Sequence, residues 1–163
     1  MQVFDRRTLI GGAGAAAVAL LLFGRPGRAD AKFTVNHTPG EWRRMLGDQR
    51  YHILREGGTE WQFTSPLLKE HRRGTFTCAG CALPLFSSAT KFDSGTGWPS
   101  FWRPLGHAVL ERPDQYHRYL GPPPTEVACA RCGGHLGHVF NDGPKPTGLR
   151  YCIDGLALNF RAG

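Results

Sequence analysis

Five cysteines are the residues of this 163-residue chain best suited to metal or covalent chemistry. Four of them form two pairs with the same spacing, Cys78 with Cys81 and Cys129 with Cys132. Two thiolates that are separated by two residues can occupy one edge of a tetrahedron, so two such pairs predict a closed four-thiolate zinc site. Disulfides in an oxidising compartment and a dithiol redox motif are the alternatives that this spacing leaves open.

The fifth cysteine, Cys152, has no partner at such a spacing and lies in the run Leu149–Ile153. A thiol becomes a nucleophile when positive charge or hydrogen-bond donors favour its thiolate. Residues 150 and 152 share a face if the segment is extended, so Arg150 is placed to supply that charge. The residue types alone leave Cys152 open as a nucleophile, as an inert buried thiol or as half of a disulfide.

Two glycine-containing stretches carry the other candidate side chains. Lys91–Phe101 contains Trp98, and His135–Pro144 contains His135 and His138. Imidazoles exchange protons near neutral pH, which suits acid–base catalysis. Taken singly, either histidine is equally well explained as a metal ligand or as a core residue, and Trp98 as a core side chain.

Short strand-like runs, bounded by turn residues, predict the framework that must position these groups. The runs are Thr75–Cys78, His107–Leu110, Gln115–Leu120, Glu126–Cys129, Leu136–Phe140, Leu149–Ile153 and Leu156–Phe160. Their spacing predicts an antiparallel, mainly β domain. The capping-box pattern Thr38–Glu41 predicts a short N-terminal helix that ends at Gly47. A second short helix or turn is predicted near Ser65–His71.

Residues 1–31 predict an export signal, and residues 32–163 the folded domain. Arg6 and Arg7 precede the apolar stretch Gly11–Phe23, which is too short to span a bilayer, and Ala29–Ala31 has the small residues of a cleavage site. The expected location is the periplasm or another exported location reached by a twin-arginine route, without a membrane partner after cleavage. An uncleaved amphipathic or membrane anchor is the alternative.

The charge pattern argues against one class of partner. The formal net charge is +7, but the lysines and arginines are scattered, and no long basic run interleaved with aromatic residues occurs. Nucleic-acid binding needs such a surface, so no nucleic-acid partner is predicted.

Several of these motifs, in order from about Trp42 to Phe160, resemble the methionine sulfoxide reductase B family. The stretches that carry the resemblance are Gly58–Glu60, Phe63–Ser65, Lys91–Gly95, Gly97–Phe101, Thr125–Val127, His135–Phe140, Asp142–Pro144 and Pro146–Cys152. The resemblance implies two antiparallel sheets with the zinc site at one end. It also implies an enzyme that reduces the R epimer of methionine sulfoxide, either free or in oxidised proteins.

The resemblance further implies a role for each candidate side chain. Cys152 would attack the sulfoxide sulfur beside Arg150 and become a sulfenic acid. His138 would protonate the oxygen, with His135 and Asp142 as supports. The substrate-binding side chains would be Trp98, Phe101 and Asp154.

Two positions depart from the family pattern. Asp154 stands where the family commonly has asparagine, and an ionised carboxylate there would raise the pKa of the thiol. Thr96 stands where many members have a resolving cysteine. The sulfenic acid would then need an external thiol reductant, a thioredoxin-like protein or a small thiol.

Two other functions remain as alternatives to the reductase. A zinc-ribbon-type binding module without catalysis would explain the four paired cysteines but would leave Cys152, Trp98 and the two histidines without a role. A different zinc-stapled enzyme of similar fold would act on small thiol adducts.

Overall fold

The computed structural model describes residues 33–116 and 123–163. The predicted export signal lies outside these residues, as does most of the predicted strand Gln115–Leu120. Of that strand only Gln115 and Tyr116 are described, and neither is in a strand. Within the described part of the chain, no helix is both long and apolar enough to cross a bilayer.

Helix α1 extends from Pro39 to Glu56, so the predicted end at Gly47 is wrong. The predicted capping box is present. The Thr38 side chain accepts a hydrogen bond from the Glu41 N–H, and the Glu41 carboxylate accepts one from the Thr38 N–H. Gly47 does interrupt the helix, with φ 72° and ψ 165°, a conformation that costs glycine little. The helix resumes because the second half buries Ile53 and Leu54 against the domain, and such packing outweighs a local break.

Nine strands form the rest of the framework within residues 33–116 and 123–163. They are β1 Gly74–Cys78, β2 Pro84–Ser87, β3 Lys91–Phe92, β4 Ser100–Phe101, β5 Val109–Pro113, β6 Thr125–Cys129, β7 His135–Phe140, β8 Arg150–Ile153 and β9 Leu158–Ala162. One sheet has the order β2-β1-β9 and the other β3-β4-β8-β7-β6-β5, and every pairing is antiparallel. The predicted mainly β fold with two antiparallel sheets is therefore confirmed.

An aromatic cluster joins the two sheets. Phe101 on β4 lies with its ring centroid 4.9 Å from that of Phe76 on β1 and 4.4 Å from that of Phe86 on β2. All three side chains are fully buried. Burying a side chain of this size contributes roughly 1.5–3 kcal/mol, so this cluster fixes β4 against the smaller sheet.

Strand β8 lies inside the larger sheet, between β4 and β7. Cys152 on β8 is opposite Ser100 on β4 and opposite His138 on β7. The central position of β8 therefore brings together residues that are far apart in the sequence.

Candidate active site

Cys152 lies in a small cleft of about 170 Å³. The cleft is lined by Thr59, Trp98, Gly137, His138, Phe140, Cys152 and Asp154. Four of the residues proposed from the sequence therefore line a single cavity: Cys152, His138, Trp98 and Asp154.

A glycine brings the histidine strand close to the thiol strand. A Cβ atom added at Gly137 would lie 2.1 Å from the backbone oxygen of Cys152, and Gly137 has a φ of 146°. No larger residue fits this approach without moving the backbone. The adjacent His138 consequently faces Cys152 across the two strands.

Opposing effects set the pKa of the Cys152 thiol. Burial is the largest of them and raises the pKa, since it disfavours the charged thiolate. The Thr96 hydroxyl and the positive charge of Arg150 lower the pKa, whereas the Asp154 carboxyl raises it. The net result is a raised pKa, so the protonated thiol predominates at neutral pH.

Three hydroxyl groups form a chain that ends at the thiol. Thr96 Oγ1 lies 3.8 Å from Cys152 Sγ and 2.8 Å from Ser94 Oγ. Ser94 Oγ is in turn 2.7 Å from Ser100 Oγ, and Ser100 donates to the Trp98 backbone oxygen at 3.1 Å. Because hydroxyl groups can donate or accept, this chain can accept a hydrogen bond from the thiol in one orientation and donate one to the thiolate in the other.

His138 has a carboxylate partner that the sequence analysis did not identify. Its Nε2 lies 2.8 Å from Asp114 Oδ2, while the Asp114 side chain is fully buried. A buried carboxylate in this position can orient the imidazole and stabilise its protonated form. Asp114 belongs to the loop after β5, and no motif in the sequence pointed to it.

His135 does not line the cleft, although the sequence analysis placed it in the catalytic group. The side chain is completely buried, and Nδ1 lies 3.0 Å from Glu126 Oε1. Arg112 binds the same carboxylate at 2.8 Å. Burial would raise the pKa of Glu126, but the hydrogen bonds from His135 and Arg112 outweigh burial and lower it. A charged residue inside the otherwise apolar run 126–129 was the sequence signal for this network.

Asp142 binds Arg150 and neither histidine, so its predicted role as a support for His138 requires correction. Arg150 Nε and Nη2 each lie 2.8 Å from an Asp142 carboxylate oxygen. The guanidinium also lies over the Phe140 ring, at 4.4 Å from the centroid. These contacts hold the charge of Arg150 near the thiol and raise the pKa of Arg150.

Asp154 is buried at the edge of the cleft and connects two loops. Its Oδ1 accepts a hydrogen bond from the Glu60 backbone at 2.9 Å, and the Glu60 carboxylate accepts from the backbone of Gly155 and Leu156. Burial raises the pKa of Asp154 to about 7, against the lowering effect of the hydrogen bond from the Glu60 N–H. The carboxyl is therefore partly protonated near neutral pH, so it is not fully ionised beside the thiol.

The two aromatic residues proposed as substrate contacts differ in location. Trp98 lines the cleft, and its indole N–H donates to the Glu60 backbone oxygen at 3.2 Å. Phe101 is in the aromatic cluster between the sheets and has no exposed surface. Its prediction as a substrate-binding residue is therefore corrected: it packs behind the cleft and stabilises β4.

The four paired cysteines converge on one another and do not line the cleft. Their sulfur atoms all lie within 4.8 Å of one another, with 3.8 Å between Cys78 and Cys132 and 3.5 Å between Cys81 and Cys129. A tetrahedron with zinc–sulfur bonds of about 2.3 Å has edges of about 3.8 Å. A disulfide needs about 2.05 Å, so these separations favour metal binding over disulfides.

The two cysteine pairs adopt the same backbone turn. The N–H of Ala82 donates to the Cys78 oxygen, and the N–H of Gly133 donates to the Cys129 oxygen, both at 2.8 Å. Contacts with the other sulfurs, together with burial, raise the pKa of Cys78. A bound cation would offset this repulsion and stabilise the thiolates. The cluster could thus hold a zinc ion.

Comparisons with known proteins agree with this geometry. A family model described as the SelR domain matches residues 46–162. A protein of Leptospira interrogans named peptide methionine sulfoxide reductase MsrB is 49% identical over 130 residues, which cover 79% of this chain and 97% of that protein. A protein of the same name from Agrobacterium fabrum is 53% identical, and the match covers 77% of this chain and 92% of that protein. One from Thiobacillus denitrificans is 54% identical, and the match covers 76% of this chain and 92% of that protein.

Proposed function

The chain belongs to the MsrB family of methionine sulfoxide reductases and is an oxidoreductase acting on methionine sulfoxide, and from this premise we propose that it reduces the R epimer by direct attack of Cys152. The observation that carries the proposal is the single cleft in which the Cys152 thiol, His138 and Trp98 meet. In this arrangement a sulfoxide sulfur at the Cys152 thiol has His138 on one side, as an acid, and the Trp98 ring on another.

In the first step the Cys152 thiol gives up its proton to solvent, and the resulting thiolate attacks the sulfoxide sulfur. The sulfoxide oxygen becomes basic as the new sulfur–sulfur bond forms, and His138 donates a proton to it. Asp114 stabilises the imidazolium that supplies this proton, because its carboxylate lies 2.8 Å from His138 Nε2. General acid catalysis of this kind contributes roughly 10²–10⁴ in rate.

The oxygen then moves to Cys152, and methionine leaves. The thiol is oxidised by two electrons to a sulfenic acid while the substrate sulfur is reduced by two. Trp98 packs against the S-methyl group, since sulfur and methyl groups pack favourably on aromatic rings.

Recycling requires a thiol from another molecule. The chain has five cysteines, and the other four form the metal cluster. An external thiol attacks the sulfenic acid, which releases water and gives a mixed disulfide. A second thiol then restores the Cys152 thiol and leaves as a disulfide with the first. A thioredoxin-like protein or a small thiol would serve.

Cys78, Cys81, Cys129 and Cys132 would bind a structural zinc ion. The near-tetrahedral sulfur spacing and the two matching turns support this assignment. A closed four-thiolate site leaves no coordination position for substrate, so the ion would contribute to folding rather than to chemistry.

Export of the protein is proposed on the sequence of residues 1–31 alone. The adjacent Arg6 and Arg7 before an apolar stretch support a twin-arginine route to the periplasm. Replacing both arginines with lysine should leave the protein in the cytoplasmic fraction of expressing cells. Unchanged export of that variant would contradict the proposal.

The decisive experiment gives the R and S epimers of methionine sulfoxide separately to the purified protein with dithiothreitol. We expect turnover of the R epimer only, and none with Cys152→Ser. Alkylation before the assay should modify Cys152 selectively and leave zinc bound. Equal reduction of both epimers would refute the proposed stereospecificity, and reduction of neither would favour a binding module.

A further inference from the structure

A turn beside the cleft exposes aromatic residues that the proposed chemistry does not use. Trp61 is 85% exposed and Phe63 is 64% exposed, the two highest values among the large apolar side chains of the described residues. They belong to residues 61–64, which we call the 61–64 turn. Exposed apolar surface next to a cleft is typical of a binding surface.

The surface at the 61–64 turn is continuous with the catalytic cleft. Trp98 and Thr59 line the cleft, and both also line a neighbouring cavity of about 330 Å³ together with Trp61. Thr59 and Trp61 also border a third cavity of about 670 Å³, which extends to the C-terminal strand. A polypeptide with one side chain in the cleft would therefore pass along Trp61.

The turn is held in place before any ligand binds. Thr64 Oγ1 donates to the Trp61 backbone oxygen at 2.6 Å, and the Phe63 N–H donates to the Gly97 oxygen at 2.8 Å. Phe63 has a φ of 64°, which is uncommon for a non-glycine residue and costs free energy. Since the aromatic side chains are presented by an ordered backbone, binding on them would cost little additional entropy.

We propose that the 61–64 turn binds an apolar side chain next to the methionine sulfoxide of an oxidised polypeptide. The cleft of about 170 Å³ has room for little more than one side chain, so the neighbouring residues must lie outside it, on the continuous surface that Trp61 borders. This inference rests on the proposed function, because it assumes that methionine sulfoxide occupies the cleft. Tryptophan is among the residues that most often dominate binding surfaces, so Trp61 should contribute most.

The test measures kcat/KM for free methionine-R-sulfoxide and for two peptides. One peptide has leucine on each side of methionine-R-sulfoxide, and the other has serine. We expect the wild-type protein to prefer the leucine peptide, and Trp61→Ala to lower the ratio of kcat/KM for the leucine peptide over the free amino acid by about 10-fold. Trp61→Phe should retain most of this ratio, since an aromatic ring remains.

Met45→Ala is the matched control. Met45 is an exposed apolar residue of α1, 56% exposed, and it lines none of the three cavities. Its replacement should leave the ratio unchanged. If the wild-type protein reduces free methionine sulfoxide but Trp61→Ala does not move the ratio, the inference fails and the proposed function stands. If the wild-type protein reduces none of the substrates, the proposed function itself fails.

One further outcome would assign the turn to another partner. If Trp61→Ala changed only the dependence on the concentration of a protein reductant, the turn would bind the reductant. That result would overturn the inference about the substrate.

Discussion

Replacing Asp154 with asparagine should stabilise the protein most above neutral pH and least near pH 4. Asp154 is 4% exposed, and burial raises its pKa from 3.8 to about 7. The folded protein therefore holds the proton more tightly than the unfolded chain does. The stability that this proton contributes is fully present below about pH 4 and is lost as the pH rises to about 7.

The size of the effect follows from the two pKa values. A tenfold change in proton affinity corresponds to about 1.4 kcal/mol, so a pKa of about 7 in place of 3.8 corresponds to about 4 kcal/mol. This is the cost of burying the ionised carboxylate, and asparagine does not incur it. The amide oxygen can still accept the Glu60 N–H that Asp154 Oδ1 accepts at 2.9 Å.

Asparagine would also supply a hydrogen-bond donor at a place that lacks one. His135 Nε2 is buried without a hydrogen-bond partner among the described residues, and it lies 4.0 Å from Asp154 Oδ2. An amide N–H in that position could move closer and donate to it, which would add about 1 kcal/mol of stability.

The measurement is urea unfolding of wild-type protein and Asp154→Asn at pH 5, 6, 7 and 8, with zinc present throughout. The difference in unfolding free energy should grow with pH and level off above about pH 7. Asp48→Asn makes the same chemical change on a side chain that is 82% exposed, and should change stability by no more than about 0.5 kcal/mol. Parallel pH curves for wild type and Asp154→Asn would show that Asp154 is not a buried titrating group.

The remaining predictions concern the metal cluster and the thiol. Cys81→Ser should release zinc and lower stability by several kcal/mol, as seen by metal analysis and thermal unfolding, because one of four thiolate ligands is lost. A stable variant without zinc would contradict this. One equivalent of substrate without reductant should leave a sulfenic acid at Cys152, which dimedone traps for detection by mass spectrometry. Release of zinc together with an internal disulfide would show instead that one of the four paired cysteines reacts with the sulfenic acid. Thr96→Cys should convert the sulfenic acid into an internal disulfide, because Thr96 Oγ1 is already 3.8 Å from the sulfur. Thr96→Val should raise the pKa of Cys152 and slow its alkylation at pH 7 several-fold, because the hydroxyl that lowers this pKa is removed. Thr96→Ser keeps the hydroxyl and should do neither. Equal pH profiles of alkylation for the two variants would exclude the hydroxyl contact.

The features that sequence predicted well depend on short spacings. The cysteine pairs and the capping box at Thr38 are local patterns, and strands β1, β6, β7 and β8 follow local alternation and turn residues. The short strands β2, β3 and β4 were not predicted. Asp114 could not be found in this way, because its contact with His138 joins residues 24 positions apart and is created by the folding of the larger sheet. The Thr96 contact with Cys152 spans 56 positions and has the same origin.

The misassignment of Phe101 has a simple geometric cause. Successive side chains of a strand point to opposite faces. Ser100 on β4 points toward Cys152 and lowers the pKa of the thiol, so its neighbour Phe101 must point into the core. Membership in a motif next to the site does not reveal which face a residue occupies; strand register does.

The position of the cysteine cluster explains why a metal outside the Cys152 cleft would matter for catalysis. Cys78 ends β1 of the smaller sheet, and Cys129 ends β6 of the larger one, so a shared ion would join the two sheets at one end. The Cys129–Cys132 turn also connects β6 to β7, the strand that places His138 opposite Cys152. Loss of the ion would free the β6–β7 hairpin at its base. His138 would then lose its fixed distance to the Cys152 thiol before the aromatic cluster around Phe101 unfolded. A metal-depleted protein should therefore lose turnover at lower urea concentrations than it loses its β structure, while the zinc-bound protein should lose both together.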